Sequence, residues 1–252
     1  MVLHQGDFDY KDDPEEWNLQ INEVLGPDFP YFASIGNHDF AAWPQYQRKL
    51  QDRVNRTNGA ECERDLGVKS HCNYKGIFFI LSGAGTKDLE HDRYIEKQLD
   101  RNNFTWRICS WHKNQRLMQV GGKPDGTGWN VYEECRKGGA IIATGHEHSY
   151  SRTHLMESFE EQIVASTSNT LEIEKGKTFA FVSGLGGKSI RRQVDELASK
   201  PWWASVYTAT QDANYGALFC IFNVNGTKNK AYCYFKSIDG KSPDEFYITS
   251  KD

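Results

Sequence analysis

Residues 140–153 read AIIATGHEHSYSRT, so that an apolar run passes directly into a histidine-rich segment. The short run AIIAT is typical of a buried strand. His146 and His148 follow it, separated by one residue, and on an extended turn two such side chains point in different directions. Each could therefore bind a different metal ion of a pair, although two surface histidines would show the same spacing.

Three other apolar runs end in the same way. VLHQ is followed by Gly6–Asp7, YFASI by GNHD at 36–39, and WRICSW by His112. Helical patterns lie at about residues 14–25, 44–54, 93–102 (capped by Asp92) and 128–136, and a long loop precedes the strand IFFIL. Alternating strands and helices predict an α/β fold, in which binding groups gather beyond the carboxyl ends of the strands. The four polar clusters are therefore expected at one place.

The last hundred residues show a different pattern. After about residue 155 short strands dominate, namely TFAFV, ALFCIF, KAYCYF and EFYIT. We find no internal repeat and no linker long enough to divide the chain. The sequence therefore predicts a single domain over residues 1–252.

The side chains at the strand ends form a mixed set of oxygen and nitrogen donors. They are one carboxylate, one amide and three imidazoles: Asp7, Asn37, His112, His146 and His148. Such a set suits Zn, Fe or Mn, whereas Mg and Ca prefer oxygen alone. Five donors are also too many for one structural zinc, so the pattern indicates a centre with two metal ions.

Composition excludes several other classes of protein. The chain has 252 residues, a net charge of −4 and 38% hydrophobic residues, which is ordinary for a soluble globular protein. Acids and bases are interspersed, so no basic stripe offers a surface to nucleic acid. No apolar run reaches the roughly 18 residues that a membrane span needs. We therefore expect neither nucleic acid nor a membrane span, and the oligomeric state stays open.

The cysteines and sequons bear on the compartment. Cys62 and Cys72 bracket a polar loop that a disulfide could close, and a hairpin around Asn225–Gly226 would place Cys220 opposite Cys233. Ordinary buried thiols are equally compatible with the latter pair. Three Asn-x-Ser/Thr sequons stand at Asn55, Asn103 and Asn225. Together these features favour, slightly, an exported or extracellular protein.

The motifs resemble those of one family. GDFDY at 6–10, GNHD at 36–39, His112 and GHEHSYSRT at 145–153 are similar to the patterns of calcineurin-like metallophosphoesterases, in the purple-acid-phosphatase-like branch. The resemblance implies a four-layer α/β/β/α sandwich of two mixed sheets flanked by helices. It also implies hydrolysis of a small phosphomonoester with two metal ions, Fe with Zn, Mn or Fe. Phosphodiester or nucleotide hydrolysis and an inactive metal-binding relative are the alternatives.

The resemblance assigns a role to each matching residue. Asp7 would bridge the two metals, Tyr10 and His148 would bind the first, and Asn37, His112 and His146 the second. His38 would face the substrate without binding metal and act on the phosphoryl oxygens or the leaving group. Two cations about 3.5–4 Å apart lower the pKa of a bound water and hold the attacking and leaving oxygens in line.

Three further residues are candidates for contact with the substrate. Tyr150 and Arg152 follow the metal-binding histidines and could contact a phosphate or buttress the loop. Many purple acid phosphatases carry extra histidines after the position of His112, where this chain reads WHKNQ. Asn114 is the residue we expect to replace them, with Lys113 and Gln115 as alternatives.

Two motifs depart from known patterns. The family's first motif, an Asp followed two residues on by Gly or His, is missing before Gly6–Asp7, so we expect an N-terminally truncated fold, a weakened first metal site and low activity. Asp65-Leu66-Gly67 matches only in spelling and is predicted to be a turn. SGLGGKS at 183–189 is not a P-loop, because Val182 stands at the position of the first glycine. We expect a tight loop that lines the metal crevice.

Overall fold

Strands and helices alternate through the first part of the chain, and short strands follow. The computed structural model describes residues 1–251. In chain order the elements are β1 (Val2–His4), α1 (Pro14–Leu25), β2 (Tyr31–Ala33), α2 (Trp43–Arg56), β3 (Ala60–Asp65), β4 (Lys69–Tyr74), β5 (Ile77–Ser82), α3 (His91–Arg101), β6 (Trp106–Ser110), α4 (Asn130–Lys137), β7 (Ile141–Thr144), β8 (Tyr150–Thr153), β9 (Leu155–Ser158), β10 (Ile163–Ser166), β11 (Thr170–Ile173), β12 (Ala180–Ser183), α5 (Asp195–Ala198), β13 (Trp203–Tyr207), β14 (Gly216–Phe222), β15 (Lys230–Ser237) and β16 (Glu245–Ser250).

The larger sheet has eight strands in the order β13-β8-β12-β7-β6-β5-β4-β3. Its central strands β5, β6, β7 and β12 run parallel to one another, whereas the strands on either side pair antiparallel. The carboxyl ends of β6 and β7 therefore lie at the same edge of the sheet. His112 follows β6 at this edge, and the GHEH turn follows β7.

The smaller sheet has the order β11-β16-β15-β14, with β11 and β16 parallel and the other pairs antiparallel. β1 and β2 form a separate parallel pair, and β9 and β10 an antiparallel one. Helices α1 and α2 pack together, with α2 against β2, while α3 and α4 pack on each other and on the larger sheet. The predicted sandwich of two mixed sheets flanked by helices is confirmed.

Strand β5 shows why the centre of the larger sheet is apolar throughout. Phe79 and Leu81 belong to a core that also contains Ile248 of the smaller sheet. Phe78 and Ile80 belong to a second core that contains residues of α3 and α4. Successive strand residues point to opposite faces, so a strand covered on both sides must be apolar at every position.

Helix α3 corrects one predicted detail. Asp92 does not cap it, because the helix begins at His91 and the preceding Glu90 adopts a left-handed conformation with φ 59°. The His91 ring is buried and fixes this turn: Nδ1 lies 3.0 Å from Ser82 Oγ and Nε2 2.7 Å from the Lys87 carbonyl oxygen. A buried ring therefore takes the place of the cap that the sequence predicts.

The prediction of a long loop before β5 is wrong, because β3 and β4 form an antiparallel hairpin there. Its polar, largely exposed strand β3 carries no apolar signal that a sequence analysis could detect. Cys62 lies opposite Cys72 and forms a disulfide with it. The turn that joins the two strands includes Leu66 and Gly67, as predicted for Asp65-Leu66-Gly67.

Two further disulfides join elements of the chain. Cys220 and Cys233 are opposite each other on β14 and β15 and are bonded, which confirms the predicted hairpin pair. Cys109 of β6 is bonded to Cys135 of α4, a pair at a sequence separation of 26 that the sequence left unassigned. None of the helices in the described part of the chain is long and apolar enough to cross a membrane.

Candidate metal centre

The centre begins where the chain leaves β1 and β2. A Cβ atom on Gly6 would lie 2.4 Å from the Gly36 nitrogen, and one on Gly36 only 2.1 Å from the Asp7 nitrogen. Both positions therefore need glycine, and Gly6 also has a φ of +84°. Asp7 and His146 have positive φ values of 59° and 62°, a strain that often marks functional residues.

Asp39 joins the two turns, and the sequence analysis assigned it no role. Its buried carboxylate accepts hydrogen bonds from the backbone N–H groups of Asp7 (2.9 Å), Phe8 (2.7 Å) and Gly36 (2.6 Å). Burial raises the pKa of Asp39 to about 7, although the backbone donors of Phe8 and Gly36 oppose this shift. The only signal in the sequence is its place as the last residue of GNHD.

Four of the predicted ligands converge on one point. His112 Nε2 lies 3.2 Å from Asp7 Oδ2, 3.2 Å from Asn37 Oδ1 and 2.9 Å from His146 Nδ1. One ligand atom each from Asp7, His112 and His146 falls within 4.8 Å of the others. This is the set predicted for the second metal, and its oxygen and nitrogen donors fit a transition-metal or zinc ion.

The surroundings prepare these side chains to bind a cation. His112 Nδ1 lies 2.6 Å from the Gln5 carbonyl oxygen, so the ring donates there and presents Nε2 to the centre. Burial, followed by the charge of His112, lowers the pKa of His146 to about 2. Burial opposes ionisation of Asp7, but the interaction with His112 and the His38 N–H outweigh it and hold the Asp7 pKa below its usual range.

The ligands predicted for the first metal also meet. The Tyr10 hydroxyl lies 3.2 Å from His148 Nε2, and His148 Nδ1 lies 2.6 Å from Ser189 Oγ. Burial and then the nearby Asp7 charge raise the pKa of Tyr10 to about 12. Burial and then Arg191 lower the pKa of His148 to about 4. With Asp7 this set offers three donors among the described residues.

His38 lies beside the centre without joining either set. Its side chain is exposed, its ring centroid is 4.4 Å from that of Tyr10, and its backbone N–H donates to Asp7 Oδ1 at 3.0 Å. This placement is compatible with the predicted contact between His38 and a substrate.

The three predicted substrate residues are buried. Tyr150 and Arg152 both bind Asp244: the Tyr150 hydroxyl donates at 2.6 Å, and Arg152 Nε and Nη2 donate at 2.7 and 2.9 Å. Asn114 Nδ2 donates to the Gly145 carbonyl oxygen at 2.9 Å. These contacts favour the buttressing alternative for Tyr150 and Arg152, and a contact of all three residues with substrate stays a prediction.

Comparisons with known proteins agree with this arrangement. The sequence profile described as calcineurin-like phosphoesterase matches residues 1–150, which include every predicted metal ligand. The purple acid phosphatase PPD1 from yellow lupin (Lupinus luteus) superposes with a TM-score of 0.72 at 18% identity, over 99% of this chain and 46% of that one. PhoD superposes with a TM-score of 0.51 at 13% identity, over 96% of this chain and 66% of that one. No match was found among curated protein sequences.

The profile match covers more than half of the chain and spans both ligand sets. The chain therefore belongs to the calcineurin-like phosphoesterase family, whose members are metal-dependent phosphoric ester hydrolases. The two structural likenesses support the fold alone, and the chain spans less than two thirds of either protein's length.

Proposed function

We propose that this chain hydrolyses phosphate monoesters at a centre of two metal ions. The proposal is supported by the position of Asp7, which meets Asn37, His112 and His146 in one donor set and acts on Tyr10 of the other, whose hydroxyl lies 3.2 Å from His148 Nε2. Iron with zinc, manganese or a second iron is the expected pair, because a phenolate, imidazoles and a carboxylate suit these metals.

Different groups at the centre would supply Lewis acidity, orientation of the ligands and proton transfer. When bound, the ions would supply Lewis acidity, which polarises phosphoryl oxygens and lowers the pKa of water. Gln5 and Ser189 would fix the orientation of His112 and His148 through hydrogen bonds to Nδ1. His38 is exposed beside Tyr10 and would exchange a proton with the leaving oxygen of the ester.

Metal stoichiometry combined with turnover tests the proposal. The four-donor set should bind one equivalent tightly, and the three-donor set a second, weaker equivalent. We expect His146→Ala to lose the tight equivalent and to lower release of phosphate from an aryl monoester at least about a hundredfold, since loss of even an outer contact costs ten- to a hundredfold. Metal content by mass spectrometry and phosphate release are the two measurements.

His71→Ala is the matched control, because His71 lies on β4 and contacts Tyr94 rather than the centre. It should keep both equivalents and full turnover. Full metal uptake and turnover in His146→Ala would contradict the proposed centre. Faster turnover of an aryl diester than of the monoester would replace monoester by diester hydrolysis as the function.

We further propose that the protein works in an oxidising compartment outside the cytosol. The three disulfides Cys62–Cys72, Cys109–Cys135 and Cys220–Cys233 leave no free cysteine in residues 1–251. Disulfides of this number are rare in cytosolic proteins and common in exported ones.

A further inference from the structure

The loop that contains GLGGKS runs along the metal centre. It follows β12, and the Gly184 N–H donates to the Ser149 carbonyl oxygen at 2.9 Å. The Arg191 N–H donates to the His148 carbonyl oxygen at 3.0 Å, and Leu185 is fully buried. A Cβ on Gly184 would lie 1.9 Å from the Glu147 carbonyl oxygen, so the backbones touch. The loop is therefore fixed against the GHEH turn.

This loop presents two cationic side chains to the centre. The Lys188 ammonium lies 4.4 Å from the centroid of the Tyr10 ring. Arg191 Nη1 lies 3.7 Å from Glu147 Oε2, and its side chain is 43% exposed. Ser189, between them in sequence, contacts His148. Lys188 and Arg191 consequently flank the donor set Asp7, Tyr10 and His148.

Two more lysines lie near the other donor set. Lys123 Nζ donates to the His146 carbonyl oxygen, and Lys113 directly follows His112. Within residues 1–251, none of Lys113, Lys123 and Lys188 forms an ion pair with a carboxylate. Lys188 and Lys113 therefore add positive charge at the border of the centre in a chain whose net charge is −4, whereas the charge of Lys123 is partly offset by Glu147 and Asp7.

The acidic groups near the centre do not cancel this charge. Asp7 faces His112, and Asp39 is engaged with three backbone N–H groups. Glu147 is fully buried and faces Arg191, without a hydrogen bond to either carboxylate oxygen. Lysines beside a site for cations repel those cations unless an anion lies between them. The arrangement therefore suits a ligand with more negative charge than one phosphoryl group.

We propose that Lys188, supported by Arg191, forms a subsite for a second anionic group of the substrate. This inference rests on the proposed function and narrows its substrate class to phosphate esters that carry another phosphate or a carboxylate. Lys188 is the specificity-determining residue, because its ammonium is exposed, has no carboxylate partner in residues 1–251 and lies next to Tyr10.

Matched pairs of substrates measure the subsite. Fructose 1,6-bisphosphate differs from fructose 1-phosphate by one phosphate, and 3-phosphoglycerate differs from glycerol 3-phosphate mainly by a carboxylate. We expect kcat/KM to be about three- to fivefold higher for the member with the second anion of at least one pair, since charge complementarity at a partly exposed site has about this effect. Lys188→Gln should remove most of the preference, and Lys188→Arg should keep it.

Arg192→Gln is the control, because it removes a positive charge from the same exposed loop at a residue with no contact to the centre among those described. It should leave the preference within about twofold, since exposed charges at a distance are screened by salt. If Lys188→Gln lowers kcat/KM equally for both substrates of each pair, or lowers it for neither, the subsite is wrong. A preference in one pair alone supports it and identifies the group as phosphate or carboxylate.

A binding measurement that requires no turnover tests the subsite independently of the proposed function. Calorimetry on the zinc-loaded chain compares propane-1,3-bisphosphonate with propylphosphonate. If no ester is hydrolysed but the bisphosphonate binds more tightly and Lys188→Gln removes the difference, the subsite holds and the hydrolase proposal fails. If esters are hydrolysed but neither assay shows a preference in the unaltered chain, the subsite is wrong and the proposed function stands.

Discussion

Asp39 connects the two turns that carry Asp7 and Asn37 through one carboxylate. Each of its three hydrogen bonds comes from a backbone N–H group, and two of these belong to Gly36 and Asp7. Asp39 is fully buried, so no water replaces a lost bond. Its carboxylate therefore fixes the distance between the Asp7 and Asn37 backbones.

Replacing Asp39 by asparagine should disturb both stability and metal uptake. An amide keeps one oxygen acceptor and turns an N–H group toward backbone donors. Above the raised pKa of Asp39, at about pH 8.5, we expect Asp39→Asn to lower the free energy of unfolding by about 2–4 kcal/mol, because hydrogen bonds to charged groups contribute about 1.5–3 kcal/mol each. Urea unfolding and metal content measure the effect. Asp52→Asn, at an exposed carboxylate of α2, is the control, and an equal response of both variants would contradict the role of Asp39.

The residues that the sequence could and could not identify differ in the kind of contact they make. Asp7, Asn37, His112 and His146 follow strand ends, so strand patterns together with donor chemistry were enough to predict that these four side chains lie together. Asp39 acts through backbone hydrogen bonds, and Ser189 meets His148 across 41 residues. Such contacts depend on the packing of distant loops, which no local pattern encodes.

At the scale of elements, Asp244 joins the two sheets. It lies between β15 and β16 of the smaller sheet and binds Tyr150 and Arg152 of β8 in the larger one. The Arg152 guanidinium also lies 4.1 Å from the centroid of the Phe246 ring. Arg152 and Asp244 are both buried, so each charge depends on the other for compensation.

Replacing one partner of the Arg152–Asp244 ion pair should lower stability more than replacing both partners with apolar residues. We expect Asp244→Asn to lower the free energy of unfolding by about 3–5 kcal/mol, because Arg152 is left as an uncompensated buried charge. The double variant Arg152→Met/Asp244→Leu should recover much of the loss. Urea unfolding is the measurement. If Arg152→Lys instead leaves stability unchanged and raises KM for a phosphate ester, Arg152 contacts substrate and the buttressing role is wrong.

Element boundaries were predictable where periodicity is strong. The helix predicted at 14–25 matches α1, which Asp13 caps by accepting the Glu16 N–H at 2.9 Å. The hairpin of β3 and β4 was missed because β3 is a polar, exposed edge strand and β4 buries Ser70, Cys72 and Tyr74 rather than an apolar run. The sequence left Tyr150 and Arg152 of β8 open between phosphate contact and buttressing, because a local motif does not reveal that all four residues of this strand are buried.

At the scale of the whole molecule, one buried and three half-buried histidines link stability to pH. Burial is the first cause that lowers the pKa of four histidines outside the two donor sets: His4 (to about 4), His71, His91 and His154. In the unfolded chain these groups have a pKa near 6.5. Protonation of any of these four rings therefore disfavours the folded state. The organisation of residues 1–252 as a single domain stays a prediction.

Acid should therefore destabilise the metal-free chain. Below pH 6.5 the unfolded state binds protons that the folded state does not, so the free energy of unfolding falls as pH decreases toward the lowered folded-state pKa. Each such histidine contributes a slope of at most about 1.4 kcal/mol per pH unit. Urea unfolding at pH 7.5, 6.5 and 5.5 measures this slope.

A variant of His91 measures the contribution of one histidine to the dependence of the free energy of unfolding on pH. It is buried against Ser82 and Lys87 and lies outside the metal centre, so the effect does not depend on metal binding. His91→Gln should lower stability at pH 7.5, because the ring fixes the start of α3, and should make the dependence on pH shallower between 6.5 and 5.5. An unchanged slope in this variant would show that His91 gains protons equally in both states, and the acid sensitivity would then belong to other groups.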